Sequence, residues 1–238
     1  MKYKVKILSF IILFSIILSS RVPLSLSSLS MQIQPQDIID KIQAFDSKLK
    51  AFKADFQEIR HFAYDPEKEV LSGKLYYAKP SCIRWDYLSP SKKEMVLTEK
   101  KGWIYIPDIN QVQLFNIKGK VKISSLPIGL RGPSKDIRKN YQINISEVKQ
   151  EGSAPLFLME LLPREGSEAS VYYTYIRLWL RSRRWIPAEK IELKEIAGDT
   201  VIYQLNNIEI NPKLSSKLFD DNFPADVEIV NYELQRES

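Results

Sequence analysis

The clearest pattern in the chain is an alternation of apolar and polar residues within the range 73–108. The alternation stops at Lys79-Pro80-Ser81, resumes from Ile83 to Tyr87, and returns from Trp103 to Ile106. Period-two patterning bounded by Pro, Gly, Ser and Asp predicts antiparallel strands joined by turns, with one covered and one wet face. The rest of the chain must therefore supply more strands and a cover for the apolar face.

A helix and further strands are predicted from the remaining periodicities. Residues 36–53 carry apolar side chains at spacings of three and four, which predicts an amphipathic helix. Alternating segments recur at 111–117, 141–148, 156–162, 172–180, 185–195, 200–210 and 224–232. We therefore predict a mainly β protein with a few helices. A sheet of roughly ten strands tends to curl into a barrel or half-barrel, and the N-terminal helix and the middle segment are the elements that could cover its concave side.

The segment 124–133 breaks the strand pattern, because it is short, apolar and rich in Pro and Gly. One interpretation is a connector packed over the edge of the sheet. The other is a movable lid, since lids are drawn from weakly anchored segments. Leu126, Ile128 and Leu130 are the apolar residues that would form the lid.

The N-terminus has the pattern of an export signal. Lys2, Lys4 and Lys6 precede an apolar run from Ile7 to Leu18, and a serine-rich stretch follows. This predicts a secretory signal peptide over residues 1–30, with one domain over 31–238. A retained membrane anchor is the alternative, but a helix of about twelve residues spans only ~18 Å of a ~30 Å hydrocarbon core.

Composition and charge fit an ordinary globular protein, with 44% hydrophobic and 27% charged residues. The formal net charge of +6 includes the lysines of the predicted leader. The densest basic cluster comprises Arg177, Arg181, Arg183 and Arg184. We interpret it as the outward face of a hairpin rather than a site for nucleic acid or anionic headgroups, and we expect no nucleic-acid partner.

Few residues suit catalysis or metal binding. The chain has one histidine, His61, and one cysteine, Cys82, too few for a zinc site or a disulfide. No Gly-x-Ser-x-Gly motif accompanies His61, and the 8 glycines form no phosphate-binding loop. We therefore expect a protein that is not an enzyme and needs no cofactor or metal.

Aromatic residues are abundant on the predicted strands, among them Tyr76, Trp85, Phe115 and Trp179. They can fill an ordinary core. A curved sheet with a helical cover can instead leave an apolar pocket that accepts acyl chains. The pattern of residues alone leaves both interpretations open.

The order of the motifs resembles the LolA family of periplasmic outer-membrane lipoprotein carriers. The likeness rests on Ala-Asp-Phe-Gln at 54–57, Gly-x-Leu-x-x-x-x-Pro at 73–80 and Arg-Trp-Asp-Tyr-x-x-Pro at 84–90. It continues through Trp-x-Tyr-x-Pro-x-x-x-Gln-Val at 103–112, Ser-Leu-Pro at 125–127, and the ending with Leu218-Phe219 and 224–229. It thus covers nearly the whole chain after the predicted leader.

The resemblance implies an incomplete, unclosed antiparallel β-barrel of about ten or eleven strands, covered by the N-terminal helix and a short helical lid. It also implies a monomeric periplasmic carrier that shelters the acyl chains of lipoproteins in an apolar cavity. Such a carrier takes its cargo from an inner-membrane ABC-type release complex and delivers it to an outer-membrane receptor. Acyl chains need such shelter, because each methylene exposed to water costs ~0.8 kcal/mol. The alternative is a regulatory module on the same fold that senses lipids or lipoproteins.

Site residues follow from strand parity together with the resemblance. The expected cavity residues are Leu75, Tyr77, Ile83, Trp85, Tyr87, Trp103 and Tyr105. Family members commonly carry an arginine that bonds to the lid at the position of Lys79, and an aromatic at that of Ile83. Lys79 is therefore the candidate lid latch, with nearby Arg84 as a possible substitute. A register error of one residue would invert the face.

Overall fold

The computed structural model describes residues 34–99, 101–116, 129–130, 137–148 and 154–232. These residues form a 12-stranded sheet and two helices. The predicted leader, residues 1–30, and the lid residues Leu126 and Ile128 lie outside the described residues.

The elements follow one another along the chain as a long meander that opens with a helix. The helices are α1 (Pro35–Lys48) and α2 (Ile137–Asn140). The strands are β1 (Ala51–His61), β2 (Lys68–Ala78), β3 (Cys82–Ser89), β4 (Lys93–Leu97), β5 (Lys101–Ile106), β6 (Gln111–Asn116), β7 (Tyr141–Val148), β8 (Leu156–Pro163), β9 (Tyr173–Arg181), β10 (Lys190–Glu195), β11 (Thr200–Ile210) and β12 (Glu228–Tyr232).

The sheet has the order β12-β6-β5-β4-β3-β2-β1-β11-β10-β9-β8-β7. β1 therefore lies inside the sheet, with β2 to β6 and β12 on one side of it and β7 to β11 on the other. Within the described residues, the end strands β12 and β7 do not pair with each other. The sheet is therefore open, as expected. It has one or two more strands than predicted, and its β12 pairs with β6 in parallel, whereas the other pairs are antiparallel.

The first helix ends earlier than its periodicity predicts. Residues 51–53 belong to β1, where Phe52 and Ala54 begin the alternating burial of a strand. The side chain of Asn211 stabilises the connection between α1 and β1. Its Oδ1 accepts from the backbone N–H of Lys50 at 2.7 Å, and its Nδ2 donates to the backbone oxygen of Lys48 at 3.2 Å. Asn211 has φ 54°, a left-handed conformation that asparagine tolerates better than most residues.

The sheet carries two separate apolar clusters. We call the face that packs against α1 the inner face; its cluster includes Phe52, Leu75, Leu161 and Ile191 together with Ile42 of the helix. The opposite, outer face carries a smaller cluster over β4–β6. Its buried members are Val96, Trp103, Val112 and Phe219. The C-terminal segment therefore covers part of the outer face, while α1 covers the inner one.

Candidate functional site

The inner face of β2 and β3 holds five of the expected site residues. Leu75, Tyr77, Ile83, Trp85 and Tyr87 are all buried in the inner-face cluster. They share a face because Leu75 lies opposite Trp85 and Tyr77 opposite Ile83 across the antiparallel pair. The result is a continuous apolar surface, whose binding of acyl chains stays a prediction.

Trp103 and Tyr105 do not lie on this surface, which corrects the expectation that they would. Trp103 pairs with Val96, and Val96 pairs with Arg84, the outward neighbour of Trp85. Trp103 therefore belongs to the outer-face cluster, and Tyr105 packs against that cluster. The expectation was wrong because strand parity cannot be carried across a turn whose register the sequence does not fix.

Helix α1 is the described element that covers the inner face. Its apolar side, Ile38, Ile39 and Ile42, is buried in the inner-face cluster. Near its start, Gln36 Oε1 accepts from Arg138 Nε at 3.2 Å, just before β7. With α1 in place, the inner-face side chains pack against the helix rather than facing water.

Lys79 contacts this helix. Its Nζ donates to the backbone oxygen of Asp46 and lies 2.9 Å from Asp46 Oδ2. The ammonium thus sits in the last turn of α1, where the helix dipole favours a cation. The candidate latch therefore connects the turn between β2 and β3 to the C-terminal end of the cover.

Arg84 does not replace Lys79 in this contact. Its guanidinium lies on the outer face, where Nε pairs with Asp86 at 2.6 Å and Nη2 with Glu94 at 2.8 Å. Its Nη1 donates to the backbone oxygen of Leu218 at 2.9 Å. Arg84 therefore ties the C-terminal segment to the outer face, and the idea that it substitutes for the latch is wrong.

Of the expected lid, only the last residue is described. Leu130 is buried in the inner-face cluster. Gly129 precedes it with φ +107°, and a Cβ at Gly129 would press on Leu178 and Ile191. The Gly129 oxygen accepts from the backbone N–H of Ala188 at 2.7 Å. This segment therefore packs directly on the inner face over β9 and β10.

Sequence reasoning missed one inner-face residue, Glu58. It follows Phe52, Ala54 and Phe56 in the alternating inward positions of β1, and its side chain is 0% exposed although it carries a carboxyl group. Its carboxylate accepts from Arg60 Nε at 2.6 Å and from the Tyr87 hydroxyl at 2.9 Å. The signal was available, since a glutamate at an inward position of an alternating strand is unusual.

A groove of about 690 Å³ lies beside β10 and β11. Arg183, Arg184, Lys190, Asn206 and Asn207 are among its lining residues. Such surroundings suit polar ligands rather than acyl chains. Arg181 and Arg184 pair with Glu189, at 2.7 and 3.1 Å.

Neither His61 nor Cys82 joins a reactive group. His61 is exposed at the end of β1, and Cys82 is partly buried beside the outer-face cluster. Burial, together with the charge of Glu99, raises the pKa of the Cys82 thiol, which disfavours the reactive thiolate. Among the residues that the structure describes, no group of acidic, His and Cys side chains is arranged to hold a metal ion. No helix within the described ranges could cross a membrane.

Residues 47–221, which include β1 to β11, match the family described as outer membrane lipoprotein carrier protein LolA. The chain belongs to the LolA family. Curated relatives of this LolA-family chain are named outer-membrane lipoprotein carrier proteins. That of Coxiella burnetii (strain CbuK_Q154) is 25% identical over 86% of this chain and 92% of the relative. That of Methylobacillus flagellatus is 22% identical over 82% of this chain and 89% of the relative.

A solved structure has a fold similar to that of this LolA-family chain. It is an uncharacterized conserved protein from Thermus thermophilus, with a TM-score of 0.52 and 14% sequence identity. The match covers 83% of this chain and 98% of the Thermus chain. A fold of this kind is therefore found in an experimental structure.

Proposed function

We propose that this protein is a periplasmic carrier that shelters the acyl chains of lipoproteins against its inner face. It would move them from the inner to the outer membrane. The observation that carries the proposal is a broad apolar sheet face, including Leu75, Ile83 and Trp85, covered by an amphipathic helix in a LolA-family chain. The lipoprotein-carrier names of the curated relatives support the same cargo.

The size of the hydrophobic effect explains why such a face is needed. Transfer of an acyl chain with about fifteen methylenes from an apolar environment to water costs roughly 12 kcal/mol of free energy. A water-soluble carrier must therefore replace the membrane around each chain. The inner face offers apolar surface, and α1 offers a cover that can close over the chains.

Binding requires α1 to move, because Ile38, Ile39 and Ile42 occupy the inner face. We propose that Lys79 is the latch of this cover and that Leu126, Ile128 and Leu130 form a lid beside it. The bond from Lys79 to Asp46 supports the latch, since it lies at one end of α1. Opening would then break the contact between Lys79 and Asp46 and expose apolar surface to the incoming chains.

The remaining parts of the proposal follow from family membership and the N-terminus. Residues 1–30 would direct export and be removed, leaving residues 31–238 as one monomeric domain without a cofactor. An inner-membrane ABC-type complex would supply the acylated lipoproteins, and an outer-membrane receptor would accept them. The protein itself would catalyse no reaction.

Crosslinking in cells tests the cargo. The full chain, expressed in a Gram-negative host and crosslinked before lysis, should co-purify with polypeptides that carry acylated N-terminal cysteines. Mass spectrometry of the crosslinked species identifies that modification. Recovery of the protein with no acylated species would contradict the proposal.

Replacing Trp85 by Glu tests the inner face. Trp85 is 4% exposed, so a carboxylate at this position should lower the affinity for a fluorescent fatty-acyl probe at least about tenfold. Met95 pairs with Trp85 and is only partly buried, so Met95→Glu provides a variant with less risk of unfolding. Leu88→Glu, at an exposed position of the same strand, is the control. Wild-type binding by both inner-face variants would exclude this face.

A further inference from the structure

Glu58 is a buried carboxylate on the face that is otherwise apolar. It is fully buried between its cross-strand neighbours Leu71 and Tyr203. A buried charge is retained only where its partners compensate for the loss of water, and replacing such a pair with apolar residues is often neutral or stabilising. Its presence on the proposed binding face therefore calls for an explanation beyond stability.

A gap in β2 lets Tyr87 reach this carboxylate. Tyr87 lies on β3 and Glu58 on β1, so the bond between them crosses β2. At the crossing point is Gly73, opposite both Phe56 and Tyr87. A Cβ at Gly73 would overlap the backbone oxygen of Asp86 and lie 3.0 Å from the Phe56 ring. The sequence thus keeps a space in β2 over which the Tyr87 side chain passes.

Hydrogen-bond donors surround Glu58 at this end of the inner face. Arg60 binds Glu58 through Nε, while its side chain remains 41% exposed. The Tyr203 hydroxyl, on the neighbouring strand, has no hydrogen-bond partner among the described residues. Burial and the charge of Glu58 raise the pKa of Tyr203, so this phenol keeps its proton. We call Glu58, Arg60, Tyr87 and Tyr203 the polar corner.

We propose that the polar corner binds the ester carbonyls that join the acyl chains of the cargo to its glyceryl group. This inference rests on the proposed carrier function and places the polar end of the lipid. Ester carbonyls accept hydrogen bonds and donate none, which matches the free hydroxyl of Tyr203 and the partly exposed guanidinium of Arg60. Glu58 acts as a positioning residue that orients Arg60 and Tyr87.

The surface next to the polar corner fits the rest of the lipid. From Glu58 the inward positions of β1 are Phe56, Ala54 and Phe52, all buried and apolar. Six strand residues span about 20 Å, roughly the length of a long acyl chain. With the esters at the donors of the polar corner, Tyr203 and Arg60, the chains would extend along β1 towards Phe52.

A comparison of ester- and ether-linked lipopeptides tests the inference. The two probes are a dipalmitoyl-ester S-glyceryl-cysteine peptide and its dialkyl-ether analogue, which lacks the carbonyl oxygens. Their affinities are measured by displacement of a fluorescent acyl probe from the protein obtained by expressing the full chain. Wild type should prefer the ester about three- to tenfold, the usual range for one hydrogen bond. Tyr203→Phe should reduce that preference by weakening the binding of the ester, while Arg60 keeps its share of the hydrogen bonding.

The matched control is Tyr105→Phe, the same substitution on the outer face, which should keep the ester preference. Equal binding of ester and ether by wild type, or an ester preference that Tyr203→Phe leaves undiminished, would overturn the polar corner while leaving the carrier function intact. Failure of wild type to bind either lipopeptide would instead overturn the carrier function and the inference with it.

Discussion

At the scale of single residues, Gly73 determines what the inner face can do. The lack of a side chain lets the rings of Phe56 and Tyr87 meet edge to face, with centroids 5.1 Å apart, across the strand between them. The same space lets the Tyr87 hydroxyl reach Glu58. Tyr87 is buried, and its pKa is raised by burial and by the charge of Glu58, so it acts as a hydrogen-bond donor. One glycine therefore connects the core to the polar corner.

Gly73→Ala should destabilise the protein by at least about 2 kcal/mol, because the new methyl group overlaps the Asp86 oxygen and presses on Phe56. Chemical denaturation measures the change in the free energy of unfolding. Lys74→Ala, at the adjacent exposed position, should change it by no more than about 0.5 kcal/mol. Equal stability of the two variants would show that β2 can relax around the methyl group.

Sequence patterning predicted inward residues within a strand better than contacts between strands. Tyr87 and Trp85 follow from the alternation of β3 alone. The hydrogen bond from Tyr87 to Glu58 does not, because it depends on a register shift between Ser72 and Gly73 in the pairing of β2 with β3. Trp103 shows the same limit. The strand pattern around it was predicted correctly, but the turn between β4 and β5 determines that its side chain lies on the outer face.

At the scale of elements, α1 is attached to the sheet mainly by contacts that can be exchanged. Its C-terminal end is held by the side chain of Asn211 and by Lys79, whose contact with Asp46 is about one-third exposed, at 31% and 28% of the two side chains. Its apolar side, which includes Ile38, Ile39 and Ile42, packs on the inner face. The proposed opening of this cover would leave the sheet folded.

Lys79→Met should loosen the C-terminal half of α1 while leaving the sheet folded. Amide hydrogen exchange in α1 should become faster, and the free energy of unfolding should fall by no more than about 1 kcal/mol, as expected for a partly exposed ion pair. If the latch proposal is correct, the fatty-acyl probe should also enter faster.

Lys79→Arg, which keeps a cation at the helix end, should restore slow exchange. Lys50→Met, an exposed position just after α1, is the control for the loss of a lysine. Unchanged exchange in Lys79→Met would show that Asn211 and the apolar contacts hold the helix by themselves.

Element boundaries were predicted less well where tertiary contacts override local pattern. The run 185–195 looked like one strand, but β10 begins only at Lys190, because Trp185, Ile186 and Ala188 turn inward and are buried. The last strand was expected from its alternation, but not its parallel pairing with β6. That pairing depends on the C-terminal segment first crossing the outer face, where Phe223 meets Trp103 edge to face at 4.9 Å.

At the scale of the whole molecule, the outer face between β8 and β11 is held by a network of ion pairs. Arg177 bridges Glu160 and Glu192, and Arg181 with Arg184 binds Glu189. Burial alone would raise the pKa of Glu189, but the hydrogen bond from Arg181 and the charges of both arginines lower it overall. The pKa of Glu192 is lowered in the same way. Burial would raise it, but the hydrogen bonds from Lys190 and Tyr175 stabilise the ionised form.

These shifts predict how stability depends on pH. Glutamates in the unfolded chain titrate near pH 4.5. In the folded protein the pKa values of Glu189 and Glu192 are lower, so both carboxylates stay ionised at a more acidic pH. The unfolded state therefore binds protons first, and stability that is fully present above about pH 5 is lost as pH falls through the folded pKa values.

Glu189→Gln should lower the free energy of unfolding at pH 7, by up to about 1 kcal/mol, and flatten its decline below pH 5. Urea denaturation between pH 7 and 3 measures both effects, with the exposed Glu147→Gln as control. An unchanged pH slope in Glu189→Gln would mean that the arginine network adds no net stability and that acid acts elsewhere on the molecule.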